Sequence, residues 1–353
     1  MYKRQILGDP DKLASVLNAT VSTVKYAKVD AWDNWGISID GRYQIDNSPN
    51  IQYAYATGGF VGNMSGAVLG DKEKEIDSLI VKNIRKVIGG KHVGGFFGLV
   101  DVAAVAEVGD NESKGILGLI KTGEIDVLDA FRSYIYHGLV NGSNDQGLIV
   151  SANTEIESGA FEGKVQTGNA GGFGGSLLNG SVKNSKVTNL NQVNALNYAG
   201  GFIGHLGKSG VVDLDKAETG GALDGLLNAT AGVLDNFGSH CDNCNVDGIK
   251  EGFIVNSQNG KEPISGGFAG FADLAKIDNS HVTNIKKVNS DQIAGGFVGR
   301  TTFSYLADID AGSTTLLDPI LEIVNALLDI LYIGDLQELG AIDIGLGLSL
   351  IHI

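Results

Sequence analysis

The chain is poor in proline, cysteine and basic residues. Four prolines among 353 residues are too few for a Pro-rich linker. With 52 glycines, about twice the usual share, that shortage also excludes a collagen-type triple helix. Two cysteines exclude a disulfide-dense scaffold. Basic residues number 26 against 41 acidic ones, a net charge of −15. Such a chain repels phosphate backbones, which speaks against nucleic-acid binding. No run of about 18 apolar residues occurs, so no transmembrane helix is expected. What is present is a 43% hydrophobic composition, enough to bury a sizeable core. Glycine without proline points to many tight turns inside an ordered fold.

The two ends read as something other than protein. Met1-Tyr2-Lys3-Arg4-Gln5 translates GTG TAT AAG AGA CAG, with GTG as start codon. The reverse complement, CTG TCT CTT ATA CAC, gives Leu348-Ser349-Leu350-Ile351-His352. One short DNA string thus encodes both ends, and it matches a transposase adaptor from sequencing libraries. Residues 1–5 and 348–353 are expected to be adaptor-derived, and 6–347 a slice of a longer metagenomic protein.

Repeats organise the rest. Gly-Gly-Phe-x-Gly occurs six times, with Phe at Phe60, Phe96, Phe173, Phe202, Phe268 and Phe297. Segments 76–98, 182–204 and 277–299 align without a gap. Apolar residues recur at Val81/Val187/Val282, Ile84/Leu190/Ile285 and Val87/Val193/Val288, and Asn at Asn83/Asn189/Asn284. The β-branched content and alternation predict short strands, and Asn, Asp, Ser and Gly predict the turns between them.

Such units cannot bury their apolar faces alone, and stacking gives them one continuous core. The expected fold is mainly β: a right-handed parallel β-helix or β-solenoid with Phe stacked in an internal column. Gly-Gly would allow close approach of neighbouring coils. These strings lack a GKS or GKT ending and open no helix, so they are not phosphate loops. The Phe positions come in pairs, each pair followed by an insertion, at about 99–152, 205–240 and 300–347. Helical spacing of Ile320, Ile323, Val324, Leu327, Leu328 and Leu331 behind an Asp318-Pro319 start predicts a helix. Leu223, Leu226, Leu227 and Leu234 repeat that spacing, and 116–131 does so less regularly. These helices are expected to dock on one flank. Residues 6–54 read as an incomplete preceding repeat, and 55–347 as one array.

Candidate chemistry is sparse. His240-Cys241-Asp242-Asn243-Cys244 has the look of a zinc or redox motif. In the repeat alignment, however, Cys244 takes the place of Ser185 and Ser280, and Cys241 that of Val182 and Ile277. Buried cysteines acting as small side chains are the favoured reading. Asp213/Asp215 and Asp308/Asp310 could ligate calcium. They match no calcium-loop spacing, and a solvated strand face is the commoner cause. His92, His137, His205, His240 and His281 share no ligand-like spacing. No catalytic, cofactor-binding or metal residue is assigned, and no cofactor is expected.

At the Gly-Gly-Phe-[Val/Ile]-Gly rungs the sequence resembles GLUG-like repeats, with Tyr198-Ala199-Gly200-Gly201-Phe202-Ile203-Gly204 the nearest copy. Such repeats occur in large surface proteins of Gram-positive, often gut-dwelling, bacteria. The resemblance covers most of residues 55–300. It implies a secreted, wall-anchored, non-catalytic adhesin or stalk, facing a host glycan, a matrix protein or a neighbouring cell. It carries no catalytic residues. The competing class is a β-helix carbohydrate-active enzyme, a polysaccharide lyase or glycoside hydrolase, which requires paired carboxylates in a groove.

Overall fold

The computed structural model describes residues 22–32, 35–44, 51–74, 77–101, 132–152, 168–207 and 238–302. The protein is mainly β, built of parallel sheets. The described residues make six passes; each pass adds one strand to three of the sheets and one or two to the remaining one.

One sheet holds Thr23–Val24, Val68–Leu69, Ser133–Tyr136, Gly180–Lys183, Ser239–Asp242 and Ala275–Asp278. A second, wider sheet is centred on two long strands, Leu79–Gly89 and Lys186–Ala195. Ala27–Asp30, Gly138–Gly142, Asn245–Gly248 and His281–Thr283 lie along their first halves. Ile37–Asp40, Leu148–Ala152, Phe253–Ser257 and Ile285–Ser290 lie along their second halves. A third sheet leads into the Gly-Gly-Phe corner: Ala56–Gly58, His92–Gly94, Asn169–Gly171, Tyr198–Gly200, Ile264–Gly266 and Ile293–Gly295. A fourth leads away from it: Val61–Ser65, Phe97–Asp101, Gly174–Leu178, Ile203–Gly207, Ala269–Asp273 and Val298–Thr302. Arg42–Gln44 and Ile51–Tyr53 form a separate antiparallel pair.

Register explains the composition. Val29, Val81, Val140, Val187, Val246 and Val282 are aligned from strand to strand. So are Ile39, Val87, Val150, Val193, Val255 and Val288. Parallel pairing puts like beside like, and β-branched side chains pack well on a pleated surface. The apolar residues form one contiguous core through all six passes, fully buried in the middle and half-buried at the two ends.

The Gly-Gly-Phe corner adds a second column. Phe60, Phe96, Phe173, Phe202, Phe268 and Phe297 stack face to face, with centroids 4.7 to 5.0 Å apart. Each stacked pair is worth about 0.5–1.5 kcal/mol beyond its buried area. The second glycine of the corner has no room for a side chain. A Cβ on Gly95 would run into the Gly172 carbonyl of the next pass, and one on Gly201 into that of Gly267. Glycine is required because the backbones of successive passes touch there.

The structure revises two expectations. The first insertion is shorter than 99–152, because the fourth sheet runs on to Asp101 and strands resume at Ser133. The strands Ser133–Tyr136, Gly138–Gly142 and Leu148–Ala152 belong to the third pass. Likewise the second insertion begins after Gly207 and ends before Ser239, and the third begins after Thr302. No helix occurs among the described residues. The expected flank helices, at 116–131, 223–237 and from Asp318, lie outside the described residues, as do residues 1–5 and 348–353.

Candidate functional site

Passes differ at one point, midway along the second sheet. In the second, fourth and sixth passes the strand bends at a single asparagine. Asn83, Asn189 and Asn284 have φ of 54°, 55° and 56°, a left-handed conformation that asparagine tolerates better than most residues. In the first, third and fifth passes a longer connection replaces that bend, and its described residues are 31–32 and 35–36, 143–147 and 249–252. Each loop ends on a glycine with positive φ: Gly36 at 84°, Gly147 at 69° and Gly252 at 84°. Each of those glycines rests on the carbonyl of the asparagine in the next pass. The loops therefore rise from every second pass, in line, with asparagine bends in the troughs between them.

The trough between the first two loops is an open cleft of about 240 Å³. Its lining is Asp30, Ala31, Trp32, Lys82, Asn83, Asn141, Gly142 and Asn144. Trp32 is 95% exposed and Trp35, across the same loop, 73%. Lys28 holds Asp30 at 2.6 Å and keeps its carboxyl below the usual range, with Lys82 adding to the effect. The Asn141 amide oxygen accepts a bond from Asn189 Nδ2 at 3.3 Å. The cleft thus combines one bare indole with amide donors and acceptors and offset charges.

The trough between the second and third loops holds packed side chains. Ile249 packs against Gly147, and Asn191 Nδ2 donates to the Gln146 carbonyl at 2.6 Å. At the corresponding step of the first trough, Ser143 and Arg85 lie beside Gly36. The Ser143 hydroxyl is turned to the Gly147 carbonyl at 3.2 Å.

Beside the Gly-Gly-Phe corners, rings line up on the third and fourth sheets. Tyr55 meets His92 edge-on at 5.0 Å, and His205 stacks on Phe271 at 5.3 Å. Arg300 lies over the Phe271 ring and pairs with Glu262. His92 Nδ1 bonds Ser176 Oγ at 2.7 Å. Burial pulls His92 down to about 3, and Lys91 and His205 act in the same direction. Burial likewise pulls His205 down to about 4, against the pull of Asp273. Burial and Glu262 push the Tyr198 hydroxyl up to about 12.

The residues singled out from sequence fall into place. Cys244 is aligned with Ser185, and Cys241 pairs with Val182 and Ile277. Both cysteines are buried and unbridged. His137 occupies a left-handed bend at φ 56°, His240 meets Arg132 at 3.3 Å, and His281 sits exposed on its strand. No group of three or more metal-binding side chains occurs among the described residues. Asp213, Asp215, Asp308 and Asp310 lie outside the described residues. The cleft was missed in the sequence: two tryptophans three residues apart were its only signal. Scanned against protein-family models, curated proteins and solved structures, the chain matches none.

Proposed function

We propose that the chain is a stretch of a secreted bacterial surface protein, a non-catalytic adhesin or stalk wound as a right-handed parallel β-solenoid. The observation that carries this reading is the constant register of six passes in the sheet that leads into the Phe column. A stack of that kind lengthens by adding passes at constant cross-section, which suits a stiff rod. The passes differ in the connections that carry Trp32, 143–147 and 249–252, which offer surface for a partner. The GLUG-like rungs and the acidic overall composition fit an exposed, wall-anchored envelope protein of a Gram-positive bacterium. Its partner would be a host glycan, a matrix protein or a neighbouring cell surface.

The competing reading is a β-helix carbohydrate-active enzyme. Asp242 and Asp278 do pair directly across neighbouring strands. They lie on an open sheet face, with Asn279 donating to Asp242 at 3.1 Å and Lys276 beside Asp278 at 3.7 Å. That is the pattern of a solvated ladder.

The test is a glycan and matrix-protein array probed with the recombinant chain, run beside polysaccharide digestion assays. Retention without cleavage is the expected result. Depolymerisation of a polysaccharide without retention would overturn the proposal in favour of the enzyme.

A further inference from the structure

We infer that the cleft lined by Asp30, Ala31 and Trp32 on one side and Asn141, Gly142 and Asn144 on the other is a saccharide subsite, with Trp32 as its stacking platform. The inference deepens the display reading and rests on it. Three observations carry it.

First, a branched apolar side chain fills the counterpart of this trough, and a small one stands here. The repeat would place a packed side chain here, as Ile249 is packed against Gly147. Ser143 stands at that step instead, with its hydroxyl turned to its own loop. The space beside Trp32 remains, at about 240 Å³. That is below the range of about 300–1,000 Å³ typical of enclosed small-molecule pockets. It suits one ring of a longer chain, with the remainder running over the surface.

Second, the side chains match a pyranose. Such a ring has one apolar C–H face and a rim of hydroxyls that both donate and accept. The cleft offers a flat indole, 95% exposed, beside the amides of Asn83, Asn141 and Asn144. Indoles are amphipathic contact surfaces that lose little conformational freedom on binding.

Third, the electrostatics disfavour a cationic ligand. A quaternary ammonium needs an aromatic site with unspent negative charge. Asp30 is already held by Lys28 at 2.6 Å, and Lys82 stands in the wall.

The experiment uses a convenient fact. The chain has two tryptophans, and both lie in this loop, so tryptophan emission reports on the site alone. The recombinant chain is titrated with cellotetraose, chitotetraose and maltotetraose, and separately with trigalacturonate and tetramethylammonium. The expected result is a saturable change with a neutral tetrasaccharide, insensitive to salt. Trp32→Ala should weaken that binding at least tenfold, read by Trp35 emission and by saturation transfer to the sugar protons. Because Trp32 contributes nothing to the core, the variant keeps its fold. Asn144→Ala gives an independent check and should weaken binding severalfold. Three outcomes overturn the subsite: flat responses to all neutral sugars, a response to tetramethylammonium or trigalacturonate alone, or full binding by both variants. If a sugar binds at Trp32 and is cleaved, the display reading fails and the subsite stands. If array retention persists in Trp32→Ala, display stands and the subsite fails.

Discussion

The Cys244 thiol stands in line with the Ser185 hydroxyl of the preceding pass and makes the same bond. Ser185 Oγ donates to the carbonyl two residues back, Lys183, at 3.0 Å, and Ser280 does so to Asp278 at 2.7 Å. Cys244 Sγ reaches Asp242 in the same way at 3.6 Å, and also the Val182 carbonyl at 3.4 Å. The Cys-x-x-Cys spacing thus follows from two strand columns, one polar and one apolar.

The two cysteines should therefore respond differently to serine. Cys244→Ser restores the repeat residue and should change unfolding free energy by less than about 1 kcal/mol. Cys241→Ser places a hydroxyl in the column of Val182 and Ile277 and should cost about 1–3 kcal/mol. Urea unfolding of both variants checks this. Burial and Cys244 push the Cys241 thiol well above its usual range. A thiol reagent should label it only after unfolding. Since the unfolded thiol ionises first, its contribution to stability falls as pH rises past about 9.

Position along the stack should decide the effect of Ala at the second corner glycine. At Gly201 the new Cβ meets the Gly267 carbonyl and, at 3.0 Å, the Phe253 ring. Overpacking of this kind costs about 1–3 kcal/mol. At Gly296 nothing lies within 4 Å, so the change should be within about 0.5 kcal/mol. Thermal unfolding of the pair separates backbone contact between passes from any intrinsic need for glycine.

Asn189→Ala should destabilise by about 1–2 kcal/mol, because φ is 55° and an L-residue with a Cβ disfavours that region. Asn189→Gly removes the steric penalty and should recover most of the loss, apart from the bond to Asn141. Urea midpoints of the two variants give the comparison.

Acid should weaken the fold through His92. Its pKa is about 3 in the native state against an ordinary 6.5. The unfolded chain therefore takes up a proton that the folded chain refuses. Stability is complete above about pH 6.5 and falls as pH drops toward 3, at up to about 1.4 kcal/mol per pH unit for one such group. His92→Gln should flatten the slope between pH 6.5 and 5, above the range where carboxylates titrate. Unfolding midpoints across that window read the difference.

Much of this architecture was legible in the chain itself. A strict Gly-Gly-Phe-x-Gly repeat, gapless Val columns and αL-tolerant Asn at a fixed offset determine parallel strands stacked in register. The same alignment assigned Cys244 and Cys241 to their columns. Linear spacing located only alternate passes. The first, third and fifth carry a longer connection in mid-strand, and it shifts everything after it along the sequence. In space the register resumes, since the strand beyond pairs with the same neighbours as before. That is why Ser133–Ala152 was read as insertion and is strand. The cleft, too, belongs to tertiary structure alone. Trp32 and Asn144 are over a hundred residues apart, and only stacking of the first and third passes on either side of Asn83 brings them to one opening. Periodicity in the sequence specifies what each pass shares, and the way the passes stack decides where one of them is left incomplete.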